Sequence, residues 1–431
     1  MATNFVSIIT VNYNGKKYLS DFLTSALDLD YPRNKYEVVV VDNASADGSR
    51  EFIEKNFPDV VLISANKNLG FAAGNNLGMK MARGNLFFLV NNDTIMEKPS
   101  LKNILDTYKR WSKKAKVGAV ASKLVLVDSY IPIEIEEAFF SGHSLSPIAR
   151  PINQAPFVIP HDTSSLFTER VFLPLRHTTS GSLNLSLKIK PFRRNEFKIF
   201  FRNKLVYKDK FKNLGSPRQI KLTLTEKQLK KYKIDLVQNA GNFYFRDGFG
   251  RDRGAIVLRH KQFYEGDYGQ YDKEEAIPGF CGAGVLLYKR ALEKVGYFDE
   301  DFFMYYEDGE LSFRLKEYGY KTVFSPKAVI RHIHAGSSVE WSHFFIFHVE
   351  RGRLLFIAKH WPRAQALRQL LLYIVFSSLM VPIYYFIKKD RKIALSKLII
   401  RLKVIISILP KFILGLIRTK RIDNNQLKRF L

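Results

Sequence analysis

Two short acidic passages of this chain carry the side chains best suited to chemistry. The first, Asn91-Asn92-Asp93-Thr94, follows an apolar run at 85–90 that predicts a buried strand. Asp93 is therefore expected at the carboxyl end of a strand, where open α/β sheets bind ligands. The second passage, Tyr305-Tyr306-Glu307-Asp308-Gly309, precedes a helical pattern. Together they predict a metal-diphosphate site and a general base, because a hard cation needs oxygen ligands and an attacking hydroxyl needs a proton acceptor.

Both passages also fit simpler structural roles. Asn-Asn-Asp-Thr is good chemistry for a helix N-cap or an Asx turn. Glu307, Asp308 and Glu310 precede an apolar run at 311–315, where acids complement a helix N-terminus. These alternatives stay open on the two passages alone.

The elements before the first passage alternate between strand and helix patterns. A strand at Val6–Val11 breaks at Asn12-Tyr13-Asn14-Gly15, and a helix is predicted from about Tyr18 to Leu29. The next strand, Glu37–Val41, ends in Asp42 and is followed by a helical stretch at about 50–57. This alternation predicts an α/β fold with a parallel, doubly wound sheet.

Several motifs occur in an order that resembles a known family. They are Val11-Asn12-Tyr13-Asn14-Gly15, Val41-Asp42-Asn43-Ala44-Ser45, the segment 68–76, Asn91-Asn92-Asp93-Thr94 and the block 298–308. The chain resembles the family 2 glycosyltransferases, in particular the rhamnosyltransferase-like members, over roughly residues 5–128 and 238–340. The resemblance implies inverting enzymes with the GT-A nucleotide-diphospho-sugar transferase fold, a Rossmann-like mixed sheet.

The resemblance also implies a set of donor-binding residues near the ends of the first strands. They are Val11, Tyr13, Asn14, Asp42, Asn68, Gly74, Asn75, Asn91, Asn92 and Asp93. By analogy with the family, Asp42 hydrogen-bonds the nucleotide base and Asp93 is the metal-binding end of the DxD motif. Backbone around Val11 and Tyr13 lines the base pocket, and the stretch 68–75 approaches the nucleotide sugar.

The metal site departs from the family pattern at one position. Asn91 stands where the motif has its first acid, so Asp93 is the one carboxylate expected at a Mg²⁺ or Mn²⁺ ion. Such ions commonly use one or two protein carboxylates while substrate phosphates supply the other ligands. His332 resembles the family's His-x-x-Gly segment near the metal and fits that spacing better than His334. A structural role for either histidine remains an alternative.

The resemblance assigns the general base to Asp308, with the adjacent Glu307 as its rival. It also implies that the loop 278–284, including Gly282 and Ala283, closes over donor and acceptor, since glycine lets backbone approach a ligand. An ordinary tight bend is the alternative for this loop.

The length of 431 residues exceeds that of a usual single domain. We predict two halves of a GT-A domain at 1–128 and 238–340, separated by an insertion at 129–237. The insertion alternates apolar and polar residues, as in 182–190, which predicts a small antiparallel β module. Residues 341–431 are predicted to form basic, apolar helices.

Positive charge is concentrated in two segments of this chain of net charge +27. Residues 176–235 carry 17 Lys or Arg against 4 Asp or Glu, and residues 351–431 carry 18 against 2. Such segments are expected to meet an anionic surface, unless they are merely solvated basic faces. No zinc-ligand spacing, RNP-like motif or convincing nucleic-acid-binding basic helix supports nucleic acid, so a membrane is the favoured partner.

The C-terminal segment favours a membrane surface over a single span. Residues 369–387 carry no charged side chain, but Pro382 interrupts them, and cations interrupt the second apolar stretch at 398–417. We expect interfacial or re-entrant helices on the cytoplasmic leaflet; helices packed on the core or on a second subunit are the alternative. No apolar run precedes Val6, and the lone Cys281 forms no intrachain disulfide, so the catalytic part is expected in the cytosol.

Together with these observations, the family resemblance implies an inverting, metal-dependent glycosyltransferase of hexosyl or deoxyhexosyl groups. It would move a sugar from a nucleotide-sugar donor to a saccharide or lipid-linked saccharide acceptor in cell-surface polysaccharide or glycan synthesis. One alternative is a sugar-phosphate nucleotidyltransferase, although the Gly-rich, basic phosphate loop expected after its first strand is absent from 12–17. The other is an inactive, membrane-bound sugar-binding protein.

Overall fold

The computed structural model describes most of the chain, in these ranges: 5–145, 157–163, 166–192, 196–212, 216–258, 261–333, 342–383 and 391–417. His334 and part of the apolar run 369–387 lie outside the described residues.

The N-terminal part alternates strands and helices as predicted. Its elements are β1 (Val6–Asn12), α1 (Lys16–Leu27), β2 (Tyr36–Asp42), α2 (Ser49–Asn56), β3 (Val61–Ser64), α3 (Gly70–Met81), β4 (Leu86–Val90), β5 (Thr94–Met96) and α4 (Ser100–Ser112), with a 3-10 turn at Arg33–Lys35. Strand β1 pairs in parallel with β2 and β4, and β2 pairs in parallel with β3. The carboxyl ends of these strands therefore meet at one edge of the sheet, which is where a ligand site is expected.

The middle of the chain is rich in strands. Its elements are β6 (Val117–Glu136), β7 (Ala138–Leu145), β8 (Phe157–Thr163), β9 (Leu166–Leu175), β10 (Leu183–Pro191), β11 (Glu196–Phe201), β12 (Lys204–Lys210), β13 (Arg218–Leu224), α5 (Glu226–Tyr232) and β14 (Ile234–Asn239). The prediction of an inserted β-rich module is confirmed. In β10 the leucines at 183, 185 and 187 are buried while Lys188 is exposed, because alternate side chains on a strand point to opposite faces.

The insertion is continuous with the main sheet. The proposed boundary between residues 128 and 129 falls inside β6, a strand of 20 residues. The later part of β6 pairs with β9, β11 and β14. One long strand thus belongs to both parts.

The remaining strands complete a mixed sheet. The elements are β15 (Asn242–Tyr244), β16 (Gly250–Asp252), β17 (Ala255–Leu258), β18 (Lys261–Gly266), β19 (Glu275–Ile277), β20 (Gly284–Tyr288), α6 (Lys289–Val295), α7 (Glu307–Glu317) and β21 (Lys321–His332). Strand β20 lies antiparallel between β4 and β6, while β21 runs parallel to β6 and antiparallel to β5. The predicted α/β class is confirmed, with antiparallel strands added to the parallel half.

Three helices follow the sheet: α8 (His343–His360), α9 (Arg363–Pro382) and α10 (Arg391–Ile417). One face of this group packs on the sheet domain, where Phe356 and Trp361 contact Phe313. The packing of these helices on the core, an alternative left open by the sequence, is therefore observed for this face. Among the residues described, no helix combines the length and apolarity needed to cross a membrane.

Candidate active site

The ends of β1 and β2 are joined by a buried hydrogen-bond network around Asp42. Its Oδ1 accepts from Asn12 Nδ2 at 3.3 Å, and its Oδ2 accepts from the Ser45 backbone N–H at 3.2 Å and lies 3.5 Å from Arg50 Nη2. The Asp42 side chain is fully buried, so in this structure it orders the loop that follows β2. Its contact with a nucleotide base stays a prediction.

The loop after β1 presents the other predicted base-pocket residues. Tyr13 is half-exposed, and Asn14 adopts a left-handed φ of 52°. The Asn14 backbone N–H donates to Ser45 Oγ at 2.9 Å, while its Oδ1 accepts from the Ala46 N–H at 2.8 Å. Val11 lies partly exposed at the end of β1. These contacts hold the two strand-end loops against each other.

Asn43 is a site residue that the sequence reasoning passed over. Its Nδ2 donates to Asn68 Oδ1 at 2.9 Å and to the Gly70 carbonyl at 3.1 Å, and its Oδ1 accepts from the Leu69 N–H at 2.9 Å. Asn43 therefore positions the segment that begins at Asn68, which the family resemblance places near the nucleotide sugar.

Two residues of α3 that are predicted to bind the sugar donor, Gly74 and Asn75, face the protein interior. A Cβ on Gly74 would lie 2.9 Å from Val11 Cγ1, so glycine here lets α3 approach β1 closely. Asn75 is buried and donates to the Phe71 carbonyl one turn earlier. In this structure both residues serve packing, and their contact with a donor stays a prediction.

In the motif after β4, Asn91 and Asn92 make structural hydrogen bonds, whereas Asp93 faces the side chain of His332. The Asn92 amide is buried and donates to Asn12 Oδ1 at 2.7 Å, and the Asn91 backbone N–H donates to the Ala283 carbonyl at 3.3 Å. Asp93 lies 2% exposed, with its Oδ1 3.1 Å from His332 Nε2. The motif thus links the first sheet half, the 278–284 loop and the end of β21.

The antiparallel pairing of β5 with β21 brings Asp93 and His332 together, because His332 is the register partner of Thr94. His332 Nδ1 lies 2.7 Å from Gln238 Oε1. An amide oxygen only accepts, so this contact favours the tautomer with the proton on Nδ1, and Nε2 is turned toward Asp93. Gln238, on β14, is a second residue that the sequence reasoning missed. Within the described part of the chain no three His, Cys, Asp or Glu side chains converge as a metal cluster.

Asp308 is the second residue of α7, which follows an unusual turn. Tyr305 and Tyr306 both adopt left-handed backbone conformations, with φ of 67° and 72°. Such conformations are costly for bulky residues, of order 1–3 kcal/mol each, and persist where the surroundings impose them. Helix α8 supplies those surroundings: a Cβ on Gly352 would lie 3.0 Å from the Tyr305 carbonyl, and Phe345 packs edge-on against the Tyr305 ring.

The two adjacent carboxyl groups occupy different environments. Asp308 is partly exposed, and its oxygens accept from the Gly282 N–H at 3.1 Å and the Gly309 N–H at 2.7 Å. Burial raises the pKa of Asp308, and the two backbone N–H donors oppose that rise. Glu307 is 5% exposed, and its Oε2 finds no hydrogen-bond partner among the described residues. Burial, followed by the charge of Asp308, raises the pKa of Glu307 well above its ordinary value.

The predicted loop after β19 reaches both acidic passages. Ala283 accepts from Asn91 and Gly282 donates to Asp308, so this loop bridges the two. A Cβ on Gly282 would lie 3.1 Å from the Phe71 ring, so the close approach depends on glycine. Asn91, Asp93, His332, Gly282 and Asp308 therefore line one region at the edge of the sheet.

Comparisons with known proteins place this architecture in a family. The model described as Glycosyl transferase family 2 matches residues 7–155, and the model described as Glycosyl transferase family group 2 matches residues 255–408. The chain belongs to the family 2 glycosyltransferases. Together with the mixed sheet, this match confirms the predicted GT-A fold class. The resemblance to rhamnosyltransferase-like members stays a prediction.

Individual relatives are more distant. The chain is 31% identical over 130 residues to a dolichyl N-acetyl-alpha-D-glucosaminyl phosphate 3-beta-D-2,3-diacetamido-2,3-dideoxy-beta-D-glucuronosyltransferase of Methanococcus voltae, covering 28% of this chain and 40% of that protein. It is 32% identical over 100 residues to the poly(ribitol-phosphate) beta-N-acetylglucosaminyltransferase TarS of Staphylococcus aureus, covering 22% and 18%. A mannosyltransferase of Pyrobaculum calidifontis, solved with GDP-Man and Mn²⁺, aligns with 14% identity and a TM-score of 0.40, over 96% of this chain and 74% of that one. The chain thus spans well under two thirds of the first two relatives.

The environment of Glu307 predicts a pH-dependent stability effect. The pKa of Glu307 is raised in the folded state. The stability that its neutral carboxyl contributes to the fold is therefore fully present below the unfolded-state pKa and is lost as pH rises through the folded-state pKa. Glu307→Gln mimics the neutral form, so it should leave the thermal midpoint unchanged at low pH and raise it relative to the native protein as pH increases. Thermal unfolding of both proteins across pH 4 to about pH 9 measures this. An equal difference at every pH would contradict a buried, perturbed Glu307.

Proposed function

We propose that the chain transfers a sugar, with inversion, from a nucleotide-sugar donor to a saccharide or lipid-linked saccharide acceptor in the synthesis of a cell-surface polysaccharide or glycan. The observation that carries the proposal is the placement of the Asp93–His332 pair and the partly exposed Asp308 carboxylate along one loop-bridged sheet edge. Family membership supports glycosyl transfer over the nucleotidyltransferase alternative. The transferred group is proposed to be a hexosyl or deoxyhexosyl unit.

The potential ligand atoms of Asp93 and His332 fit a divalent cation, Mg²⁺ or Mn²⁺. His332 Nε2 and Asp93 Oδ1 lie 3.1 Å apart, and with the ring proton on Nδ1 both atoms would be acceptors that a shared cation satisfies. Atoms this far apart can both contact an ion at the usual ligand distances of about 2.0–2.2 Å. A bound cation would offset the charge of the departing nucleoside diphosphate. Asp93 and His332 would hold it, with donor phosphates as further ligands.

Asp308 is the proposed general base. In an inverting displacement the acceptor hydroxyl attacks the anomeric carbon and loses its proton to a positioned carboxylate. The N–H groups of Gly282 and Gly309 fix the carboxylate orientation, and its partial exposure leaves it open to a substrate. Glu307 is buried on the same turn and is less accessible to an acceptor.

The C-terminal helices are proposed to hold the enzyme at the cytoplasmic face of a membrane. The net positive charge of residues 351–431 suits an anionic lipid surface. Large apolar side chains on α9 and α10 are also exposed, for example Phe376, Ile406 and Leu414 at 62%, 72% and 65%. Apolar burial and charge attraction would act on the same surface.

The base assignment predicts contrasting variants. Asp308→Asn should lower transfer by at least about 10²-fold while leaving donor binding intact, because the variant carboxamide accepts no proton. Since burial raises the pKa of Asp308, kcat/KM of the native enzyme should decline with acidity at a higher pH than an ordinary aspartate would give. Radiolabelled sugar transfer across a pH series measures both effects. Retained transfer by Asp308→Asn together with loss in Glu307→Gln would assign the base to Glu307; donor binding without any turnover by the native protein would favour the inactive sugar-binding alternative.

The metal assignment predicts a change in binding that is independent of turnover. Asp93→Ala should weaken nucleoside diphosphate binding in the presence of Mn²⁺ and reduce the difference between titrations with and without Mn²⁺. Gln238→Ala should have a smaller effect of about 10-fold, because it frees the His332 ring without removing a ligand. Calorimetry of the three proteins tests this, and Asn56→Ala, at an exposed amide on α2, is a control away from the pair. An unchanged Mn²⁺ effect in Asp93→Ala would place the ion elsewhere.

The membrane proposal predicts binding with two salt responses. The protein should bind anionic vesicles better than neutral ones at low salt and stay bound at high salt, because salt screens charge but not apolar burial. Replacing Ile406 and Ile413 by serine should reduce the salt-resistant part. Substitution is preferable to truncation because α10 also buries Val404, Ile408 and Phe412. If the native protein does not co-sediment with vesicles, the membrane proposal is contradicted, and α9 and α10 would instead serve packing or oligomerisation.

A further inference from the structure

A cavity of about 480 Å³ lies between α8 and α10. It is lined by His343, Phe344, Phe347, Ser396, Ile399, Ile400 and Lys403. The volume is within the range of about 300–1,000 Å³ that is usual for small-molecule sites. Its walls are mostly apolar, with one cation at Lys403 and a polar contact of 2.7 Å between Ser396 Oγ and His343 Nε2.

On its outer side the cavity is continuous with an exposed apolar face. Large apolar residues on α10 recur every three or four positions and stay exposed: Leu395, Ile399, Leu402, Ile406, Leu409, Ile413 and Ile417. This spacing forms one stripe along a helix. Ile399 belongs both to the stripe and to the cavity wall, so a hydrocarbon chain lying on the stripe has a direct entry.

One residue of the cavity wall, Phe344, is linked through Phe303 and Phe71 to the 278–284 loop of the proposed active site. Phe344 packs against Phe303, with ring centroids 6.4 Å apart. The Phe303 carbonyl accepts from the Phe71 N–H at 2.7 Å, and the Phe71 ring contacts Gly282, whose N–H donates to Asp308. Phe303 and Phe71 therefore link the cavity wall to the loop that holds the proposed base.

The geometry points to a binding site for the hydrocarbon chain of the lipid phosphate that carries the acceptor sugar, with Lys403 facing the phosphate. This inference rests on the proposed function, and it deepens that function by naming the acceptor class as lipid-linked. The apolar walls suit a chain, whereas a soluble saccharide would leave them uncovered. The lysine supplies the charge complementarity that a phosphate needs. The position between an apolar outer stripe and the active-site loop suits a ligand anchored in a membrane.

A matched pair of variants on α10 tests the site. Ile399→Asp alters the cavity wall, whereas Ile406→Asp makes the same change at a more exposed stripe position outside the lining. A calorimetric titration with farnesyl phosphate, kept below the critical micelle concentration of that lipid, should show saturable binding to the native protein. Ile399→Asp should weaken that binding about tenfold, because a charge replaces an apolar contact, and Ile406→Asp should bind like the native protein. Inorganic phosphate alone should bind far more weakly.

Three outcomes would overturn the inference. Equal loss in both variants would make the interaction a general property of the apolar stripe, and native-like binding by Ile399→Asp would exclude the cavity. A stable dimer in sedimentation that Ile406→Asp dissociates would assign the stripe to a second copy of the chain.

Transfer assays separate this test from the proposed function. Ile399→Asp should raise KM for a lipid-linked acceptor and leave donor affinity unchanged, whereas absence of any transfer by the native protein, with farnesyl phosphate binding intact, would refute the enzyme assignment alone.

Discussion

The antiparallel pairing of β5 with β21 is the interaction on which the site depends. It sets His332 opposite Thr94 and Arg331 opposite Ile95, so the side chains of the last two residues of β21 reach two separate parts of the chain, 93–97 and 235–238. Arg331 binds Glu97 Oε1 at 2.6 Å and Asp235 Oδ1 at 3.0 Å, while His332 faces Asp93 and Gln238. A buried guanidinium is tolerated only when it is fully paired, which makes the register of this ladder costly to change. A slip by one residue would turn His332 away from Asp93.

The second constraint is the strained turn before Asp308. Its two left-handed tyrosines are braced by α8, and the preceding loop is tied to the C-terminal helices by charge. Lys359 pairs with Asp299 and Asp301, and Lys411 of α10 also binds Asp301. The Lys411 and Lys359 hydrogen bonds overcome the effect of burial and lower the pKa of Asp301 to about 2. The helices proposed to contact the membrane are therefore joined directly to the loop that presents the proposed base.

Sequence patterns predicted the elements of the site well where local chemistry is distinctive. Buried runs followed by Asn and Asp located the ends of β1, β2 and β4, and the position of Asp93 follows from them. Asn43 and Gln238 were missed because an amide that orients a neighbour has no characteristic spacing. Whether Gly74 and Asn75 face a ligand or the interior depends on the rotation of α3 against β1, which the motif alone does not specify.

The domain boundaries, and which helix faces are buried, were harder to predict for physical reasons. The proposed boundary at 129 lies within β6, where the apolar pattern runs on without a turn signal. In the C-terminal segment, α10 has one apolar face packed on α8 and another exposed, and periodicity alone does not distinguish them. The roles of Glu307 and Asp308 separate only through their different burial, which depends on contacts made by residues far along the chain.

The most direct test of this account is the location of a metal ion. Crystals grown with Mn²⁺ and a nucleoside diphosphate would allow the ion to be located by its anomalous scattering. The account predicts a peak in contact with both the Asp93 carboxylate and His332 Nε2, with Gln238 still bonded to Nδ1. A peak bound elsewhere, with the direct contact between Asp93 and His332 preserved, would contradict it.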